Sequence, residues 1–174
     1  MPLGESAGHQ IGGLMIEIVS GDIFDSKEKY LCHQCNCITQ KAAHLSKDVF
    51  ARYPYADIYT GRQTPNRPGT IEIRGNGVDQ RYVINCLGQF YPGVSKYPTG
   101  DKDGFLAREK YFHQCLLRIA NIPNLESVAF PWKIACGAAG GDWNHYLVTI
   151  TNFAHYVETT QNARVAIYRR ECDE

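Results

Sequence analysis

From residue 31 to residue 38 the chain reads LCHQCNCI, placing three cysteines and a histidine within eight positions, a composition that invites metal binding or thiol chemistry. The spacing argues against a local metal centre. As a strand over residues 30–37, the segment sends Cys32, Gln34 and Asn36 to one face and Leu31, His33, Cys35 and Cys37 to the other. Same-face neighbours then lie roughly 6.6 Å apart, whereas zinc donors must all sit about 2.0–2.3 Å from one ion. No second ligand pair follows at zinc-module spacing, so the cysteines are expected as small buried side chains and no metal or other cofactor is expected. Asn36 stands apart. An amide at the carboxyl end of a central strand can hydrogen-bond a vicinal diol such as ribose, or it can brace a turn.

A second stretch, ACGAAGGDW at 135–143, joins an apolar run to a segment with helical spacing. Small residues let main-chain N–H groups approach an anion, and the first turn of the following helix adds positive potential. The loop therefore suits a diphosphate, although an ordinary tight strand-to-helix connection has the same composition. Asp142 immediately precedes the helix, where it can cap the first free N–H groups, orient or deprotonate water, or attack a substrate.

The elements that must position these groups are legible as periodicities. Strands are expected at 15–20, 30–38, 70–74, 81–88, 127–132 and 163–169. Helical spacing covers 43–52, 104–121 and 143–159, the last with a stripe of Trp143, Tyr146, Leu147, Ile150, Phe153, Ala154 and Val157. Strands alternating with helices predict an α/β chain, a three-layer α/β/α sandwich around a central mixed β-sheet. Segments 60–69 and 91–102 read as exposed loops. Residues 1–14 read as a flexible tail ahead of a single domain at 15–174.

Composition narrows the function. Eighteen basic and eighteen acidic residues cancel, leaving no global field to hold nucleic acid or an anionic membrane through many contacts. No run approaches the roughly 20 apolar residues of a membrane span, and the start lacks the pattern of a signal peptide. Seven cysteines scattered among apolar runs are expected as free thiols in a reducing, intracellular setting, cytoplasmic or nuclear. No membrane partner is expected.

Taken in order, GDIF at 21–24, HQCNC at 33–37, YP at 53–54, PGTI at 68–71, GQFYPG at 88–93, AFPW at 129–132 and ACGAAGGDW at 135–143 resemble a macrodomain, over roughly residues 16–157. They look like the branch that contains the ADP-ribose 1″-phosphate phosphatases. The resemblance implies an ADP-ribose cleft across the carboxyl ends of the sheet. Asp22 would bond the adenine amino group, Ile23 would contact the ring, and Asn36 would touch the distal ribose. Gly88, Gln89 and the run Ala135, Cys136, Gly137, Ala138, Ala139, Gly140 and Gly141 would wrap the diphosphate and distal sugar. His33 and Asp142 match the catalytic histidine and aspartate of the phosphatase branch; His33, on the strand face opposite Asn36, equally fits a hydrogen-bonded core histidine.

Where macrodomains commonly carry a glycine-rich loop against the distal ribose, this chain has KAAH at 41–44. Ala43, His44 and Leu45 would then meet the sugar, with His44 narrowing the pocket, titrating beside the anomeric carbon, or standing in solvent. A related branch opens ester-linked ADP-ribose with a lysine and an aspartate. The position of that aspartate holds Ala139 here, and no lysine follows RYVINCLG before Lys96. The implied function is metal-independent removal of the 1″-phosphate. ADP-ribosyl hydrolysis on protein or nucleic acid, and reading of ADP-ribose without turnover, are the alternatives. The expected partner is ADP-ribose, a derivative of it or an ADP-ribosylated protein, bound by a monomer.

Overall fold

The computed structural model describes residues 3–96 and 102–173. Seven strands form one mixed sheet: β1 (Ser6–Ile11), β2 (Leu14–Ser20), β3 (Tyr30–Asn36), β4 (Ile71–Arg74), β5 (Tyr82–Gln89), β6 (Ser127–Pro131) and β7 (Arg164–Arg169). Their spatial order is β1-β2-β7-β6-β3-β5-β4, parallel from β2 to β5 and antiparallel at both edges. The parallel strands all end on one side, which is where such sheets place ligands.

Helices α2 (Phe105–Ala120) and α3 (Trp143–Gln161) cover one face, burying Phe112, Leu116, Ile150 and Val157 against Cys32, Ile84, Phe130 and Ile167. Helix α1 (His44–Arg52) covers the other with two short 3-10 turns, Ile23–Asp25 and Pro54–Ala56, enclosing Leu31, Cys35, Cys37, Val83, Leu87 and Ala129. The expected three-layer α/β/α sandwich is the architecture found. The opposite facing of Cys32 from Cys35 and Cys37 follows the alternation of the strand.

Three local differences have physical causes. Residues 6–11 do not belong to a flexible tail: they pair antiparallel with β2, from Ser6 opposite Val19 to Ile11 opposite Leu14. Residues 1 and 2 of the expected tail, and 97–101 of the expected loop 91–102, lie outside the described residues. Strand β3 stops at Asn36 because its side-chain oxygen accepts from Ile38 N and Thr39 N, bending the chain away from the sheet. The segment 60–69 is not exposed throughout, since Asn66 N reaches Cys37 O at 2.9 Å and Arg62 reaches Asn36 O at 3.1 Å. Among the described residues no helix is long and apolar enough to cross a membrane.

Candidate functional site

A cavity of about 740 Å³ opens at the carboxyl ends of the parallel strands, a size in the range of small-ligand sites. Sheet order fixes how its lining residues follow one another. Asp22 comes after β2, Tyr168 and Arg170 from β7, residues 133–135 and 137–139 after β6, Asn36 from β3 and Gln89 from β5. Three strand intervals of about 4.8 Å therefore separate the Asp22 end from Asn36, roughly 14 Å.

At the first end Asp22 caps a 3-10 turn, Oδ1 accepting from Phe24 N at 2.9 Å. Its second oxygen accepts no hydrogen bond among the described residues. Ile23 and Phe24 line the wall beside it, and Tyr168 is held from behind by donating its hydroxyl to Glu28 at 2.6 and 2.7 Å. A turn in which Arg170 N donates to Asp173 Oδ2 at 2.9 Å brings Arg170, Cys172 and Asp173 to the same mouth.

The middle is loop 133–141. It is closed internally by Cys136 N on Lys133 O, Gly140 N on Gly137 O and Gly141 N on Ala135 O, at 2.9, 3.1 and 3.1 Å. A side chain at Gly141 would put Cβ 2.7 Å from Ala135 O, so only glycine permits this closure. The N–H groups of Gly137, Ala138 and Ala139 have no acceptor among the described residues. Lys133 and Ala135 hold the left-handed region at φ 57° and 66°, conformations that non-glycine residues adopt only under constraint.

At the far end both readings of Asn36 are realised. Its amide oxygen accepts from Ile38 N, Thr39 N, Thr39 Oγ1 and Arg62 Nη2 at 2.9–3.1 Å, which braces the turn and fixes the amide orientation. Nδ2 is thereby left as a donor with no partner among the described residues. Arg62 also stacks on Tyr59 at 4.6 Å, and the Tyr59 hydroxyl accepts from Asn36 N at 2.7 Å. Helix α1 begins here with no side-chain cap on Ala43, and Lys41, Ala43, His44 and Leu45 line the cavity. His44 stands at φ 52°, a left-handed position where glycine would be unstrained.

Several expected site residues lie elsewhere. His33 is fully buried between β3 and α1, its Nε2 2.5 Å from Asn85 Oδ1 and its Nδ1 3.2 Å from Ser46 Oγ, with Phe50 edge-on at 5.3 Å. Asn85 Nδ2 donates to Ala56 O and Glu72 O, so its oxygen faces His33 and the imidazole carries its proton on Nε2. Burial pushes the His33 pKa down to about 4. The imidazole is a structural member of the core. Strand alternation sends it away from the cavity that Asn36 faces.

Asp142 is likewise outside the cavity. More than half exposed, it caps α3 by accepting from Asn144 N at 3.0 Å. It faces His145, whose Nδ1 is 2.6 Å from Glu109 Oε1, a contact that raises the His145 pKa. The expected catalytic pairing of His33 with Asp142 is therefore not assembled: one is sealed in the core and the other stands in solvent.

Gly88, Cys136, Gly140 and Gly141 do not line the cavity either. Gly88 makes room for Gln34, whose Oε1 would lie 2.2 Å from a Cβ there. Gln34 Nε2 donates to Gln89 Oε1 at 2.9 Å, and Gln89 Nε2 donates to Tyr91 O at 2.8 Å. Burial, then the nearby Asp142 charge, pushes the Cys136 thiol up to about 12. Asp22, Ile23, Asn36, Ala43, His44, Leu45, Gln89, Ala135, Gly137, Ala138 and Ala139 do converge on one cavity.

No protein-family model matches the sequence, and no curated protein matches it. Solved structures do. The chain is similar to the macrodomain of Thermus aquaticus DarG, with TM-score 0.62 and 18% identity over 87% of this chain and 96% of that one. It is similar to the macrodomain of Mycobacterium tuberculosis DarG, with TM-score 0.61 and 20% identity over 86% and 93% of the two chains. A mutant Oceanobacillus iheyensis macrodomain with ADPR superimposes with TM-score 0.57 and 17% identity over 94% and 89%.

Proposed function

Starting from a macrodomain fold with one long cavity at its strand ends, we propose that the protein binds ADP-ribose or a derivative of it. The adenine lies at the Asp22 end, the diphosphate against residues 137–139, and the distal sugar toward Asn36 and α1. The observation that carries this reading is the order of unused hydrogen-bonding groups along the cavity. A free carboxylate oxygen meets a donor such as an exocyclic amine; free main-chain N–H groups meet diphosphate oxygens; the free Asn36 amide donor meets a sugar hydroxyl. The ADPR of the similar Oceanobacillus iheyensis structure is a ligand of this class.

The end beyond Asn36 favours a ligand with an anionic group on the distal sugar. There the uncapped first turn of α1 meets the Lys41 ammonium and the His44 imidazole, a combination of helix dipole, positive charge and hydrogen-bonding ring that suits a phosphate. ADP-ribose 1″-phosphate fits that description. Its hydrolysis without a metal is the catalytic form of the proposal: water attacks phosphorus, the bond to the anomeric oxygen breaks, and that oxygen takes a proton. His44, the imidazole that lines the cavity, supplies the proton in place of His33.

Calorimetry with ADP-ribose, ADP and AMP, followed by phosphate release from ADP-ribose 1″-phosphate, tests both levels. ADP-ribose binding tightest of the three supports the site, and no binding at millimolar concentration rejects it. Phosphate release that survives Asp142→Ala and is lost in His44→Ala supports the hydrolase. Release of free ADP-ribose from modified protein or nucleic acid, without phosphate release, replaces it with a glycohydrolase. Saturable binding with no product replaces it with a reader.

A further inference from the structure

Behind the cavity wall lies a cation that touches none of its surface. Arg108, on the first turn of α2, is 3% exposed and pairs with the fully buried Asp103 at 2.6 Å. Its Nη1 donates to Gly93 O at 2.7 Å and to Ala139 O at 3.3 Å, and its Nη2 donates to Tyr91 O at 3.1 Å. Asp103 completes the set by accepting from Phe90 N and Tyr91 N at 2.7 and 3.3 Å.

These carbonyls belong to two loops. Residues 90–95 follow β5, and residues 132–142 follow β6; Gly93 and Ala139 each line the cavity. The loops also touch through Val94, whose two methyls would lie 3.2 Å from a Cβ on Gly140. Gln89 Nε2 bonds the same Tyr91 carbonyl that Arg108 holds, so the connection continues to Gln34 on the cavity floor.

We infer that Arg108 is the positioning residue of the cavity, fastening the loop after β5 to the loop after β6 so that one buried guanidinium sets the separation of the two walls. A buried ion pair adds little net stability over apolar packing, because desolvation offsets the attraction. What the planar fork adds is direction, donating to three carbonyls and a carboxylate at fixed angles, which a lysine cannot reproduce. The part of the ligand that depends on this rim is the part held by residues 137–139, so this inference rests on the ADP-ribose reading.

The test compares wild type, Arg108→Met and Arg108→Lys in two measurements. In calorimetry, both variants lose ADP-ribose affinity by roughly tenfold or more, while AMP, which lacks the diphosphate, stays within about twofold. In hydrogen exchange without ligand, amides of 90–95 and 137–140 exchange faster in both variants, and those of β3 and α1 do not. If Arg108→Met fails to fold, Arg108→Lys carries both measurements, since it keeps a charge beside Asp103. Wild-type affinity and exchange in Arg108→Lys overturn the inference, as does an equal loss of AMP and ADP-ribose. Should wild type bind no ADP-ribose, the functional reading falls, and the exchange result alone still decides whether Arg108 fastens the loops.

Discussion

Two polar chambers flank strand β3, built from similar residue types and differing in whether their hydrogen bonds are closed. On the α1 side His33 donates to the Asn85 oxygen, the Ser46 hydroxyl donates to His33 Nδ1 and the Asn85 amide donates to two carbonyls, so the buried imidazole has nothing left for a ligand. At the strand ends Asp22, Asn36 and residues 137–139 each keep a group unused. A histidine or an aspartate is thus a poor marker of chemistry by itself; an unspent donor or acceptor facing a cavity is a better one. In the closed chamber substitutions should act on stability, and at the open one on affinity.

The largest test of that division is His33→Ala. It removes a buried ring and strands the Asn85 oxygen, so urea denaturation should show a loss of roughly 3–5 kcal/mol. Whatever remains folded should bind ADP-ribose as wild type does; an affinity loss in the folded fraction would break the comparison.

Acid should act through the same residue. The unfolded chain protonates its histidine near 6.5, whereas His33 in the fold resists until about 4. As pH falls through that window the unfolded state binds the extra proton, so the contribution is whole above pH 6.5 and declines toward pH 4. The loss is on the order of 3 kcal/mol. Urea midpoints measured between pH 7 and pH 4 should show this slope in wild type and lack it in a His33→Asn variant that still folds.

Asp142→Ala should cost about 1 kcal/mol through the lost cap, measured by thermal unfolding, with ADP-ribose affinity unchanged. A large affinity loss would return Asp142 to the site. His44→Gly is the smallest and the most instructive change. Relief of the left-handed backbone offsets the added chain entropy, leaving stability level or up by less than about 1 kcal/mol. Phosphate release should nevertheless vanish if the imidazole supplies the proton.

Much of this was legible because it is periodic. Apolar alternation marked β2 to β7 and helical spacing marked α1 to α3, each within a few residues of the observed bounds. Strand parity also separated His33 from Asn36 before any coordinates. Strand β1 escaped because SAGHQI has no alternating apolar pattern and owes its conformation to pairing with β2. Tyr168, Arg170 and Asp173 escaped because only the sheet order sets β7 beside β2. Arg108 looked like any basic residue in a helix, since its partners come from loops far along the chain. The one residue whose type signalled trouble was His44, where bulk replaced expected glycine, and its backbone bears the mark of that exchange.

The distribution of sulfur has a practical consequence. Cys32, Cys35, Cys37, Cys86 and Cys115 are sealed in the sandwich, and Cys136 is half-covered with its thiol pushed up to about 12, while Cys172 is exposed at the mouth beside Arg170. A maleimide dye at neutral pH should therefore attach to Cys172 ahead of the rest, giving a fluorescent reporter at the Asp22 end of the cavity without any engineered change to the chain.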